Sequence, residues 1–307
     1  MKTKLRPLPP YDFSLALSYL SRSSLEKVDV VDGGQLTTLS VSDQRVFLLR
    51  IYQEGSVEDP VLVIEAEGKE VERFTEEILS EVARRFQLDV SLSDFYANIK
   101  EDPVLLQLAH QHRGLKPVLA SSVFESLAWA IIGQQINIRF AYQLKNSLID
   151  LVGLKKTIKG KTYFAFPDSA RVAALSYDAL TSRKFSRRKA EYLVDAARAV
   201  ESGLLDLADL AECSQGEKVK RLTALRGVGR WTAEYCLLRG FGCQDAFPAG
   251  DIGLRNSVGR FYGYQNQPTE DAVRELGEKW PRWQGWGTFY LWFAQSMEKR
   301  REKKAGS

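Results

Sequence analysis

The 307-residue chain predicts a two-part protein: a small α+β domain built on an antiparallel sheet, then a larger all-α domain. Three observations carry this. β-rich stretches are confined to the first hundred residues, helical spacing of apolar residues dominates from Asp102 onward, and the charge divides at the same place. Residues 1–100 hold 12 Lys+Arg against 17 Asp+Glu, a balance of −5, and the remainder holds 31 against 22, a balance of +9. An acidic half joined to a basic half points to one domain facing a polyanion. The domains are placed at 1–100 and 101–307.

In the first part, Val41 to Tyr52 and Pro60 to Ala66 read as strand-rich, with Gly55 and its acidic neighbours as the turn between them. Glu70 to Phe86 repeats Val71, Phe74, Ile78, Val82 and Phe86 at helical spacing. Beyond Asp102 strand patterns are expected to vanish. Helices are expected at about 123–152, 169–175, 188–202, 214–225, 231–241, 252–261, 269–279 and 285–303. The basic run Lys299-Arg300-Arg301 with Lys303-Lys304 is expected as a solvated, partly disordered tail.

Composition narrows the function classes. Three cysteines, Cys213, Cys236 and Cys243, are too few and wrongly spaced for a four-thiolate cluster, so no iron–sulfur cluster is expected. His110 and His112 lie in a polar stretch without a cysteine partner and are expected to be solvated rather than metal ligands. No apolar run approaches a membrane span, and scarce cysteine without a signal peptide suits a reducing, cytoplasmic setting.

The most informative segment is Leu225-Arg226-Gly227-Val228-Gly229-Arg230-Trp231-Thr232-Ala233-Glu234-Tyr235, with Pro248-Ala249-Gly250-Asp251 further on. Two glycines flanking Val228 just before a helix let the backbone turn tightly and aim its amides at an anion on the helix N-terminus. Arg226 and Arg230 add charge there, and Lys218, Lys220 and Arg221 precede it. That is a way to grip a phosphate backbone without reading sequence. Each piece also has a plain structural reading: Asp251 as an N-cap for the helix at Ile252, and Trp231 with Tyr235 as a core stripe. Their conjunction, in order, favours a site.

At these residues the chain resembles the helix-hairpin-helix (HhH-GPD) DNA glycosylase superfamily, with its hairpin, Gly/Pro-rich loop and aspartate. Within it, the match is to the 3-methyladenine DNA glycosylase II (AlkA-like) family. Pro9-Pro10-Tyr11-Asp12-Phe13 resembles that family's start, Phe124-Glu125 through Ala130-Ile131-Ile132-Gly133-Gln134-Gln135 its first core helix, and Trp283 and Trp292 its closing helix. The resemblance implies a base-flipping enzyme with a phosphate grip, a plug for the vacated stack and a catalytic pocket. Gly227, Val228, Gly229 and Arg230 would contact DNA, and the backbone carbonyls of Thr223, Leu225 and Val228 would hold a structural Na⁺ or K⁺, with no other cofactor required.

By the resemblance Gln135 stands at the plug position, where the family carries an apolar residue; an amide can fill the gap and bond the orphaned base, or Gln135 caps or cross-links helices instead, and Gln134 has the more structural reading. Trp231, Tyr235, Trp292 and Tyr19 match residues that stack on the extruded base, while Trp129 reads as core. Gly253 and Phe293 depart in size from the family's pocket. Asp251 would be the catalytic charge, its pKa held down by the helix N-terminus. Trp231 occupies the place of the Schiff-base lysine of strand-cutting relatives, which implies a monofunctional enzyme. The expected partner is damaged double-stranded DNA, and the protein is expected to be a monomer of the cytoplasm or nucleoid, or of the nucleus if eukaryotic. The alternatives are a glycosylase for oxidised or deaminated bases (8-oxoguanine, hypoxanthine, uracil) and a non-catalytic helix-hairpin-helix DNA-binding module.

Overall fold

The structure, a computed structural model, describes residues 1–305 and the side chains of residues 1–302. Five antiparallel strands, β1 (Lys2–Leu5), β2 (Val30–Asp32), β3 (Gln35–Ser42), β4 (Arg45–Gly55) and β5 (Pro60–Glu67), form one sheet in the order β1-β5-β4-β3-β2. The Val41–Tyr52 stretch is two strands rather than one. Asp43 and Gln44 take φ of 46° and 58° and turn β3 into β4, which short polar residues tolerate better than the β-branched ones around them.

Pairing sets Leu36 beside Ile51 and Ile51 beside Ile64, so alternate residues share a face. That face is buried in one core with α1 (Phe13–Leu20) and α2 (Thr75–Arg85), through Phe13, Leu17, Ile78 and Val82. The sheet's other face carries Leu39 and Leu48, which pack on Ala165. Ala165 belongs to a second, two-stranded hairpin, β6 (Leu154–Ile158) and β7 (Lys161–Ala165), which corrects the expectation that strands end at Asp102. Its lysines 155, 159 and 161 are exposed while Leu154, Ile158 and Tyr163 turn inward to the sheet. Lys159 and Gly160, at φ of 48° and 78°, form its two-residue turn.

The first core continues through α3 (Leu92–Asn98) and α4 (Pro103–Gln111). The second is built by α5 (Val123–Gly133), α6 (Ile138–Val152), α7 (Ser169–Ala173), α8 (Tyr177–Thr181), α9 (Arg187–Glu201), α10 (Leu207–Glu212), α11 (Gln215–Thr223) and α12 (Arg230–Cys236). The helix expected over 123–152 is broken after Gly133. Gln135 is left-handed at φ 54°, and the Asn137 side chain restarts the helix by accepting from the Phe140 N–H. α12 runs on into a π-helical turn, Leu237–Phe241.

The chain then crosses back. Ala246 packs in the second core and Phe247 in the first, which α13 (Ile252–Phe261), α14 (Glu270–Gly277) and α15 (Gln284–Ala305) complete. The first core therefore joins residues from both sides of residue 100. Arg84 of α2 ties sheet and helices further, donating to the carbonyls of Gly240 (3.0 Å), Ala120 (2.9 Å) and Ser121 (2.6 Å).

The C-terminal basic run is not a free tail. Lys299, Arg300 and Arg301 lie in α15, and Arg300 donates to the carbonyls of Ser18 and Ser21, covering the end of α1. The side chains of Lys303 and Lys304 lie outside the described residues. His112 is also not solvated: it is 9% exposed, stands edge-on to Phe293 at 4.9 Å, and burial pulls its pKa down to about 4.

Candidate active site

The site forms where the two cores meet. Trp292 of α15 packs against both, and Asp251 begins α13 just after the chain has crossed between them. The Asp251 side chain does cap α13, Oδ1 accepting from the Leu254 N–H at 2.8 Å. It does more than cap. Trp231 Nε1–H donates to Oδ2 at 3.0 Å, and Trp292 Nε1–H donates to Oδ1 at 3.1 Å. A carboxylate thus receives one donor from α12, one from α15 and a third from its own helix. Gly253 explains itself here, since a Cβ at that position would stand 2.9 Å from Asp251 Oδ1 and 3.6 Å from the Trp292 indole nitrogen.

The expected depression of the Asp251 pKa is corrected. Burial pushes it above the usual aspartate value, against the pull of the Leu254 N–H and the two indoles. Desolvation of a carboxylate among aromatic rings outweighs the three donors and the partial charge of one helix end. The sign follows: its charge costs folding free energy as pH rises past the unfolded-state value, and any activity that needs that charge is lost as pH falls through the raised one.

Trp231, Tyr235 and Trp292 are brought together as a wall, with ring centroids 5.8 Å apart for the first pair and 6.0 Å for the second. Tyr19 is near but differently engaged. Its ring packs on Phe289 at 4.7 Å, and the guanidinium of Arg22 lies 4.0 Å above it, so that face is covered. Phe293, flagged for its size, is fully buried in the first core. Trp129, read as core, lines a cavity with Tyr19 and Tyr235.

The hairpin is built as its glycines suggest. Gly227 has φ 83°, and a Cβ there would meet the Tyr192 ring at 2.2 Å, so no other residue fits. Gly229 has open space around it and starts α12 without any side-chain cap, leaving the first-turn amides free. The Leu225 carbonyl accepts from the Val228 N–H, while among the described residues no backbone donor reaches those of Thr223 or Val228. The basic flank is weaker than the sequence suggests. Lys218 is buried under the Phe241 ring and Arg221 pairs with Asp209; Arg226 pairs with Glu191 and Arg230 with Glu234. Of these residues, Lys220 is 79% exposed, and Arg226 and Arg230 remain about two-thirds exposed despite their partners.

Gln134 locks the loop that carries Gln135 to the hairpin, its Nε2 donating to the Gly227 carbonyl at 2.8 Å and the Thr232 hydroxyl at 3.0 Å. Lys189 holds the same loop from α9, donating to the carbonyls of Ile132 and Gln134 at 2.6 and 2.7 Å. Gln135 is left exposed at the loop's apex. Ile138, 60% exposed beside it, is an apolar surface residue that sequence reasoning passed over.

The thiols offer no obvious chemistry: burial pushes Cys236 up to about 12 and Cys243 upward. Among the described residues no group of His, Cys, Asp and Glu is arranged to hold a metal, and no helix is long and apolar enough to cross a membrane.

Comparison with known proteins places this geometry. Residues 128–282 match the model of the HhH-GPD superfamily base excision DNA repair proteins. A DNA-3-methyladenine glycosylase of Bacillus subtilis is 32% identical over 286 residues, covering 92% of this chain and 93% of its own. DNA-3-methyladenine glycosylase 2 of Escherichia coli is 26% identical, covering 94% and 96%. Among solved structures, a 3-methyladenine DNA-glycosylase from Archaeoglobus fulgidus superposes with a TM-score of 0.83 at 27% identity, over 94% of this chain and 97% of that one. The hairpin, the Gly/Pro loop and Asp251 all fall inside the matched segment, and the chain belongs to the HhH-GPD superfamily of base excision DNA repair proteins.

Proposed function

We propose that the protein is a monofunctional DNA glycosylase that flips alkylated purines of the 3-methyladenine and 7-methylguanine type out of duplex DNA and hydrolyses their N-glycosidic bond. The observation that carries it is Asp251, a carboxylate held between two indole N–H groups at the junction of the cores. N3- or N7-alkylation makes a purine cationic and a good leaving group, so the site needs little acid catalysis. It needs a cage for the cation and a fixed negative charge for the oxocarbenium ion that develops as the bond breaks. Trp231, Tyr235 and Trp292 supply the rings and Asp251 the charge, with water as nucleophile.

DNA is gripped by the free amides at the start of α12, beside Gly229 and Arg230. The carbonyls of Thr223, Leu225 and Val228 would hold a monovalent cation, those of Thr223 and Val228 accepting from no backbone donor among the described residues, and its charge would strengthen the phosphate site. No other cofactor is required. Gln135, at the exposed apex of a loop fixed by Gln134 and Lys189, enters the vacated stack.

Two partly or fully buried lysine amines of the helical part are occupied. Lys189 donates to two backbone carbonyls, and Lys145 is held charged between Glu125 (2.9 Å) and Glu26 (3.5 Å). With Trp231 where the Schiff-base lysine would stand, the product is an intact strand carrying an abasic site. The protein acts as a monomer in the cytoplasm or on the nucleoid.

Asp251→Asn keeps the Leu254 cap and removes a buried charge at the expense of the Trp231 hydrogen bond. Single-turnover excision should fall at least about a hundredfold, with lesion-DNA binding kept and the melting temperature within a few degrees; wild-type turnover in this variant would sink the mechanism. Gly229→Asp can cap α12 in open space, so the fold should hold while the new carboxylate repels phosphate. Affinity should drop about tenfold on damaged and undamaged duplexes alike, measured by fluorescence anisotropy over a salt series. A loss confined to lesion DNA would show that the hairpin is not the backbone clamp. After reaction the strand should be cut only by subsequent alkali, and borohydride should trap no covalent adduct; a trapped adduct means an imine and a bifunctional enzyme.

A further inference from the structure

Buried polar side chains normally find hydrogen-bond partners. Five residues that carry such an unpaired buried group, Asp29, Arg85, Ser126, Tyr142 and Arg239, line a single cavity of about 50 Å³ that Tyr235 lines as well. That is room for a few waters or the edge of a ring, not for a whole purine. Tyr235 belongs both to this cavity and to the aromatic wall beside Asp251. The cavity therefore adjoins the place where an extruded base would stack.

Arg239 is the unusual member. It is 6% exposed, and no carboxylate lies within ion-pair distance of it among the described residues. One amino group donates to the Tyr19 hydroxyl, and its Cζ lies 4.8 Å from that ring and 5.5 Å from Phe289, while Nε has no partner. Burial pulls its pKa down to about 9, which leaves it charged at neutral pH. Its backbone is pinned in the π-helical turn: its carbonyl accepts from the Ala120 N–H at 2.8 Å, and the next carbonyl is held by Arg84. π-Helical turns are frequent at functional sites. Tyr142, 2% exposed, offers a second orphan donor, and Asp29 leaves Oδ1 as an unused acceptor after Oδ2 binds Arg85 at 2.6 Å. A buried guanidinium with an unpaired Nε and a hydroxyl without a partner carry a desolvation cost that a ligand carbonyl would offset.

Resting on the glycosylase reading of the site, we propose that this cavity reads the edge of the extruded purine, with Arg239 and Tyr142 donating to a 6-oxo group. A 6-oxopurine presents a C6 carbonyl acceptor beside an N1–H donor. A 6-aminopurine presents an amino donor, which faces the guanidinium donor-to-donor. The pocket thus favours 6-oxopurines such as 7-methylguanine over 6-aminopurines such as 3-methyladenine.

One sample tests this with an internal control. Duplex DNA treated with a methylating agent carries both 7-methylguanine and 3-methyladenine, and chromatography of the released bases gives the two rates from one tube. Arg239→Gln should lower the 7-methylguanine to 3-methyladenine ratio about tenfold relative to wild type, by loss of a charged donor. Tyr142→Phe removes only a hydroxyl without a partner, so it keeps the fold, and should lower the ratio several-fold. Rates that fall in step, or a ratio unchanged in Tyr142→Phe and in folded Arg239→Gln, would overturn the assignment and leave the cavity as a structural one. A wild-type protein that releases neither base would instead overturn the glycosylase reading, and this assignment with it.

Discussion

A carboxylate enclosed by aromatic rings is costly unless donors converge on it, and the placement of Asp251 depends on that convergence. Its three donors come from α12, α15 and the first turn of α13, three elements far apart in the chain. The two indoles can reach it only if α12 and α15 are docked correctly, and Gly253 leaves room for the Trp292 indole. The same burial that lets the charge act undiluted by water also raises its pKa, so field strength and ionisation are in tension within one side chain.

The docking of the cores explains why a sheet domain accompanies a helical one that carries the chemistry. The sheet buries one face against α1 and α2, and α2 sends Arg84 into the π-helical turn and Arg85 to Asp29. Those contacts fix the turn that carries Arg239 and, through α1, the position of Tyr19 against it. The N-terminal part therefore forms one side of the pocket beyond Tyr235. The plug loop and hairpin are likewise one unit, because Gln134 spans them and Lys189 anchors the loop from a third helix.

Local signals made much of this legible. Helical apolar spacing marked most helices, and the Gly-Val-Gly pattern marked the hairpin before α12, since each depends on neighbours within a few residues. The β6–β7 hairpin was missed although Lys159-Gly160 flanked by alternating residues marks it; the lysine run reads as solvated loop unless the sheet face it covers is known. What the sequence could not yield was long-range. That Trp231 and Trp292 point their N–H groups at Asp251, that Arg22 covers Tyr19, and that Lys218 and His112 are buried all depend on contacts between distant segments. The Asp251 pKa was misjudged for the same reason: the helix end is visible in sequence, the surrounding desolvation is not.

The pH dependence of single-turnover base release, in the wild type and in Trp292→Phe, tests the tethered carboxylate most directly. Wild type should lose activity on an acid limb lying above the ordinary aspartate value, because burial raises the Asp251 pKa. Trp292→Phe keeps a ring of similar character but deletes a donor to Oδ1 that lowers the pKa, so the limb should move to higher pH. A limb at the same pH in both proteins, or a wild-type limb at the ordinary aspartate value, would contradict a catalytic charge held by the indoles.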